Sequence, residues 1–147
     1  MSQLPNPTIV FDDIPLPPSS NAAYKSFVRG GKIRHVCHPD LVAFKRDFGL
    51  YQLSNLAAFR LAESVLKEPK GRLGIHCSFF VGSEKLMTKK GKLKRWDVSN
   101  RLKALHDCLA EALGIDDSLF MDISASKYVM PEKTRPSVRV ELSFQSA

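Results

Sequence analysis

The chain has little of several things, and each shortage excludes something. No stretch of its 147 residues approaches the roughly 18–20 consecutive apolar positions needed to cross a bilayer, so the chain is not expected to span a membrane. The opening MSQLPNPTIVFDDIPLPPSS lacks the basic first segment and long apolar second segment of a secretory leader. Cysteine is scarce and odd in number, and Cys37, Cys77 and Cys108 are too widely spaced for a disulfide framework. A reducing, cytoplasmic setting is expected. Internal repeats, low-complexity tails and long linkers are missing, which leaves residues 1–147 to be read as a single domain. Acidic residues are also short, 15 against 22 Lys and Arg, and the surplus of +7 with a pI near 9.5 favours a polyanionic partner. Charge alone does not choose between nucleic acid and an acidic membrane surface.

What is present describes an ordinary globular protein, 44% hydrophobic and 25% charged, able to build a core without metal or disulfide staples. Zinc ligand types do occur, with His35, Cys37 and His38 close together and His76 beside Cys77. They lack the CxxC or HxxxH spacing of a zinc site, and a small buried cysteine flanked by surface histidines explains them as well.

Along the chain, Thr8 to Leu16 reads as a strand stopped by Pro15, Pro17 and Pro18, and Leu16 to Asn21 as a loop. Tyr24–Val28 and Lys32–Cys37 flank Arg29-Gly30-Gly31, a hairpin signal because both glycines accept positive φ. That hairpin is a basic projection carrying Lys25, Arg29, Lys32 and Arg34. From Leu41 to Leu66 the apolar residues recur at three- and four-residue steps, predicting an amphipathic helix with a break or bend at Gly49. Arg72 to Val81 alternates as a strand. A basic run follows, Lys85, Lys89, Lys90, Lys92, Lys94 and Arg95, and leads directly into Asp97. Val98 to Leu113 reads as a second helix stopped by Gly114, and Ser118–Val129 and Arg135–Phe144 as closing strands. The order implies an α+β fold, a small mixed sheet with a basic β-hairpin and two main helices packed on it.

The second helix carries the chemistry. At 100° per residue Val98, Leu102, Leu105, Leu109, Ala112 and Leu113 form one apolar stripe, and Asp97, Asn100, Lys103 and Asp107 lie together on the opposite side. A solvated face would also be polar, but Asn is a poor helix former and the face lacks the Glu–Lys pairs that favour exposed helices. Beyond Gly114, Asp116 and Asp117 sit at the helix end where the macrodipole disfavours carboxylates. They are either turn formers or oxygen ligands for a hard divalent cation.

The stretch DVSNRLKALHD from Asp97 to Asp107, then Gly114-Ile115-Asp116-Asp117-Ser118 and later Lys127, resembles the signature of RusA-type Holliday junction endonucleases. The early Leu16-Pro17-Pro18-Ser19-Ser20-Asn21 resembles the opening of the same family. The resemblance implies a magnesium-dependent homodimer, with manganese able to substitute and no organic cofactor. It would nick opposing strands of four-way DNA junctions in recombination and repair, a chemistry suited to a phage or prophage. It assigns Asp97 and Asp117 to the metal, with Asp116 beside them, and Lys103 to catalysis. Asn100, Asp107, Lys127 and position 99 fall in support. Many members carry a second aspartate at that last position, where this chain has Ser99, a much weaker ligand. Lys89, Lys90, Lys92, Lys94 and Arg95, with Arg29, Lys32 and Arg34 of the hairpin, are the expected grip on backbone phosphates. Two other readings remain open: a dimer that binds branched DNA without cutting it, and an RNA- or protein-binding module using Trp96 as a stacking platform.

Overall fold

A computed structural model describes residues 8–19, 24–29, 31–37, 39–66 and 71–146. The elements are β1 (Thr8–Ile14), β2 (Tyr24–Arg29), β3 (Lys32–Cys37), α1 (Pro39–Ser54), α2 (Leu56–Leu66), β4 (Gly71–Gly82), α3 (Ser83–Leu86), α4 (Ser99–Leu113), β5 (Phe120–Met130) and β6 (Ser137–Ser146). A 3-10 turn, Asp117–Leu119, precedes β5. The expected α+β architecture with a mixed sheet is what forms.

β4 is the spine. Its alternating Leu73, Ile75, Cys77, Phe79 and Val81 all turn to one face and are buried, as the two-residue period of a strand requires. Val138, Val140 and Leu142 of β6 and Ile9, Phe11 and Ile14 of β1 complete that face. The sheet order is β1-β6-β4-β5, with β4–β6 and β1–β6 antiparallel and β4–β5 parallel. A parallel pair cannot be joined by a tight turn, so the chain crosses over between β4 and β5, and α4 lies in that crossover. The hairpin β2–β3 forms a separate two-stranded sheet, paired from Tyr24↔Cys37 to Arg29↔Lys32.

The apolar stripe expected from Leu41 to Leu66 is buried as Leu41, Phe44, Phe48, Phe59, Ala62 and Leu66, but it belongs to two helices. The break falls at Asn55 rather than Gly49, which stays inside α1. Asn55 turns its side-chain amide back to the Tyr51 carbonyl at 2.8 Å, the local bonding that makes Asn a poor interior helix residue. The structure thus has three long helices where two were expected. On α4 the buried face is wider than the predicted stripe: Ala104, His106, Cys108 and Ala110 are buried beside Leu105, Leu109 and Leu113, while Val98, Leu102 and Ala112 are only partly covered. Among the described residues no helix is long and apolar enough to cross a membrane.

Candidate active site

Asp97 stands two residues ahead of Ser99, where α4 begins, and its carboxylate takes up donors at that helix end. Its Oδ1 accepts hydrogen bonds from the Ser99 backbone N–H at 3.1 Å and the Ser99 hydroxyl at 2.6 Å, and its Oδ2 accepts from the Asn100 amide at 3.0 Å. The Ser99 hydroxyl is the main reason the Asp97 carboxyl is held below its ordinary pKa, helped by backbone N–H groups and Arg95. Ser99 therefore works here as a donor to the carboxylate, not as a second acid. Both Asp97 oxygens accept hydrogen bonds and an Asn offers only one acceptor, so Asp97→Asn should lower the melting temperature by about a degree or two. Asp97→Ala should lower it by a few degrees, and both should lose strand cleavage. Thermal denaturation beside a cleavage assay reads the two effects separately.

The backbone at Asp97 is held from two sides. Lys127 of β5 donates from Nζ to the Trp96 carbonyl at 3.0 Å, which brings this expected supporting lysine to the Asp97 turn. Arg101 lies over the Trp96 ring, 4.4 Å from its centroid, and donates to the Pro17 carbonyl at 2.9 Å. The ring edge meets Phe79 at 5.7 Å between centroids. With Arg101 on one face and the core at its edge, Trp96 is a packing residue, which weakens the stacking-platform reading. Ser19, Arg95, Trp96, Asp97, Asn100 and Arg101 line a cleft of about 320 Å³ at this end of the helix.

A second group of carboxylates lies at the other end of α4. Gly114 closes the helix in the left-handed region at φ 69° and donates to the Ala110 and Glu111 carbonyls. The chain turns there, and Asp116 caps the 3-10 turn by accepting from the Ser118 N–H at 2.8 Å. That hydrogen bond is the main cause of its lowered pKa. Asp117 is near enough to both Asp107 and Asp116 to act on their charge. Burial first, then the hydrogen bond and negative charge of Asp117, push the Asp107 pKa upwards, and Lys103 and Lys45 pull it back. Two carboxylates side by side repel one another, and a cation between them would relieve that.

The sign of the linkage follows. An acid raised above its ordinary 3.8 adds stability that is fully present below that pH and is lost as pH rises through its folded value. In cation-free buffer the melting temperature of Asp107→Asn should therefore climb relative to wild type as pH rises above 4. Magnesium should close that gap, and melting curves across pH with and without it provide the check.

The two groups are not joined within one chain. From Ser99 to Asp107 is eight residues of helix, about 12 Å at 1.5 Å per residue, so Asp97 stands apart from the Asp107–Asp117 pair. Among the described residues no three His, Cys, Asp or Glu groups gather closely enough to hold a metal ion. Lys103 lies between the groups on the exposed side of α4.

Of the expected phosphate-binding residues, Lys89, Lys90, Lys92, Lys94 and Arg95 are all exposed. Arg95 lines the cleft, and Lys94 is engaged at its Nζ by the Glu84 carbonyl at 2.8 Å. The side chains of Lys25, Arg29, Lys32 and Arg34, and those of His35, Cys37 and His38, lie outside the described residues.

Three residues of this region went unread in the sequence. Arg101 gave no local signal, because its partners are a ring five residues back and a carbonyl 84 residues away. Lys45 reaches the acidic pair only through the packing of α1 on α4. His106 is buried against Phe120, at 5.5 Å between ring centroids, with the Cys77 Sγ 3.9 Å from its Nε2. Burial lowers the His106 pKa, against an opposing pull from Asp117, and pushes the Cys77 thiol up to about 12.

Comparison with known proteins adds a family. No curated protein matches the chain. Among solved structures, 2C-methyl-D-erythritol 2,4-cyclodiphosphate synthase from Plasmodium vivax aligns at 15% identity and a TM-score of 0.35, over 95% of this chain and 93% of that one. A CDP complex of IspF from Plasmodium falciparum aligns at 12% identity and a TM-score of 0.38, over 97% and 96%. Scores this low bear on neither fold nor function. A family model described as endodeoxyribonuclease RusA matches residues 15–143, from the loop that holds Pro17 to the last core strand, taking in Asp97, Lys103, Asp107, Asp116, Asp117 and Lys127. The chain belongs to the RusA endodeoxyribonuclease family.

Proposed function

We propose that this endonuclease is a homodimer that resolves four-way DNA junctions by paired nicks on opposing strands, using magnesium or manganese, in recombination and repair. The observation that carries the reading is the Asp107–Asp117 pair. Two adjacent carboxyls whose negative charges repel form a place where a hard cation can offset the repulsion and take oxygens from both. Asp117 would hold the ion with Asp116 and Asp107 beside it, and Asp97 would offer oxygen ligands from the other end of α4. A divalent cation supplies charge relief at the scissile phosphate and makes water a better nucleophile at neutral pH.

The chain's own residues do the rest. Lys103, on the exposed face between the acidic groups, stabilises negative charge as it grows on the phosphate and leaving oxygen. Asn100 and Ser99 hold the Asp97 carboxylate at a fixed angle, and Lys127 fixes the backbone behind it. Lys89, Lys90, Lys92, Arg95 and the hairpin cations Arg29, Lys32 and Arg34 bind backbone phosphates, so recognition is of shape before sequence. A two-fold junction cut on opposing strands asks for two sites related by two-fold symmetry. Exposed apolar residues available to a second copy include Leu50 and Leu53 on α1, Leu56 and Leu61 on α2, and Met121, Ile123 and Val129 on the edge strand β5. Residues 1–147 are read as one domain.

The test is incubation of the purified protein with a synthetic four-way junction and a linear duplex of the same sequence, with magnesium or with chelator. Paired nicks in the junction alone, and only with the cation, are expected. A second reading, a dimer that grips branched DNA without cutting, draws on the engagement of both Asp97 oxygens by Ser99 and Asn100. It predicts tight junction binding and intact strands even with manganese, and that result would overturn the resolvase.

A further inference from the structure

The basic segment ahead of Asp97 is a built turn and not a loose charged loop. Gly91 donates to the Thr88 carbonyl at 2.9 Å, Thr88 to the Lys92 carbonyl at 2.7 Å, and Lys94 to the Leu86 carbonyl at 2.7 Å. The Lys92 N–H also reaches the Thr88 hydroxyl at 3.1 Å, and Met87 and Leu93 bridge across the base. Gly91 takes the positive φ of 77° that such a tight reversal needs. On this pinned frame, among exposed Lys89, Lys90, Lys92 and Lys94, sits Leu93 with 80% of its surface in water, the highest exposure of any large apolar residue among those described. A phosphate grip has no use for it, since any polar residue would keep the turn soluble and the cations in place.

We propose that Leu93 is a wedge: the lysines of the turn seat it on the DNA backbone, and its side chain enters between bases at the crossover of a branched substrate. Small apolar side chains inserted at a base step unstack it, at a cost of a few kcal/mol that is least where pairing is already broken. The centre of a junction is such a place. Leu93 also lies four residues before Asp97 on a continuous backbone, so a wedge there would open strands next to the cutting site. Trp96, the other apolar candidate nearby, is held between Arg101 and Phe79. The inference rests on the junction-cutting reading above and assigns its selectivity for branched DNA to one side chain.

The experiment uses the full chain and two four-way junctions, one fully paired with 2-aminopurine at the crossover and one with unpaired bases built in there. Wild type should raise the 2-aminopurine fluorescence on binding and cut both. Leu93→Ala should bind with an affinity within about threefold and the same salt slope, because no phosphate contact is lost. It should lose most of the fluorescence rise, cut the paired junction at least tenfold more slowly, and regain near wild-type cutting on the unpaired one. Leu93→Met should behave as wild type. Equal fluorescence and cutting by Leu93→Ala and wild type on the paired junction would overturn the wedge while leaving the resolvase intact. Failure of wild type to cut either junction would overturn both.

Discussion

Asp117→Asn should leave junction binding within about threefold of wild type and slow strand cleavage by about a thousandfold or more, the scale on which loss of one essential group acts. The substitution keeps the shape of the side chain and removes its charge. The basic turn and hairpin proposed to bind phosphates are untouched, so affinity should hold. Folding should not suffer either, because Asp117 is one of two carboxyls crowded together, and removing its charge relieves Asp107. Without cation the variant should melt at or above the wild-type temperature. With magnesium the wild type should gain stability and the variant should gain less, as expected when a ligand binds only the folded site. Cleavage within tenfold of wild type would show that the cation is held elsewhere, and the acidic pair would revert to turn residues.

Phe79→Ala should be the most damaging single change in the core. Phe79 is fully buried at the centre of β4 and meets the edge of Trp96. Truncating a buried Phe removes its transfer energy and leaves a cavity, about 3–5 kcal/mol together. A domain of this size commands roughly 5–15 kcal/mol in all, so the variant should melt some 10–15 °C lower and be partly unfolded at 37 °C. Because Trp96 leans on Phe79 and carries both the Lys127 contact and the Arg101 stack, activity should fall faster on warming than helix content does. Phe79→Leu, which keeps most of the volume, should cost about 1 kcal/mol and restore activity at 25 °C. Thermal melts by far-UV circular dichroism and by Trp96 fluorescence separate global unfolding from loosening at the site.

How much of this was legible in the sequence depended on how local the cause was. The buried face of β4, the existence of the hairpin, the Gly114 stop and the apolar stripes of the helices follow from periods of two and 3.6 and from turn chemistry, which act over a few residues. The break at Asn55 was local too, but it was hidden because the apolar period runs through it unbroken from Phe48 to Phe59. The sheet order was out of reach, since β1 pairs with β6 and nothing within either strand names its partner. At the site, the residues were legible and their grouping was not. One polar face of α4 suggested one cluster, whereas the helix is long enough to hold Asp97 apart from Asp107. His106 carried no signal of its own, and only packing against Phe120 and β4 reveals it as core.

The sheet order also has a consequence for how the protein is made. β1 is synthesised early but has only β6 as a neighbour, and β4 lies between β5 and β6, both of which follow it. The register pairs Thr8 with Ser143 and Gly71 with Ser146, so the sheet cannot close until β6 has been made. A chain emerging from the ribosome would carry the apolar faces of β1 and β4 uncovered until then. Its contact order is high and its folding correspondingly slow, which leaves the nascent chain exposed to aggregation. Production of this protein should depend on chaperone supply and growth temperature more than its modest length suggests. Truncations from the C-terminus that reach β6 should yield no partly folded, partly active fragment.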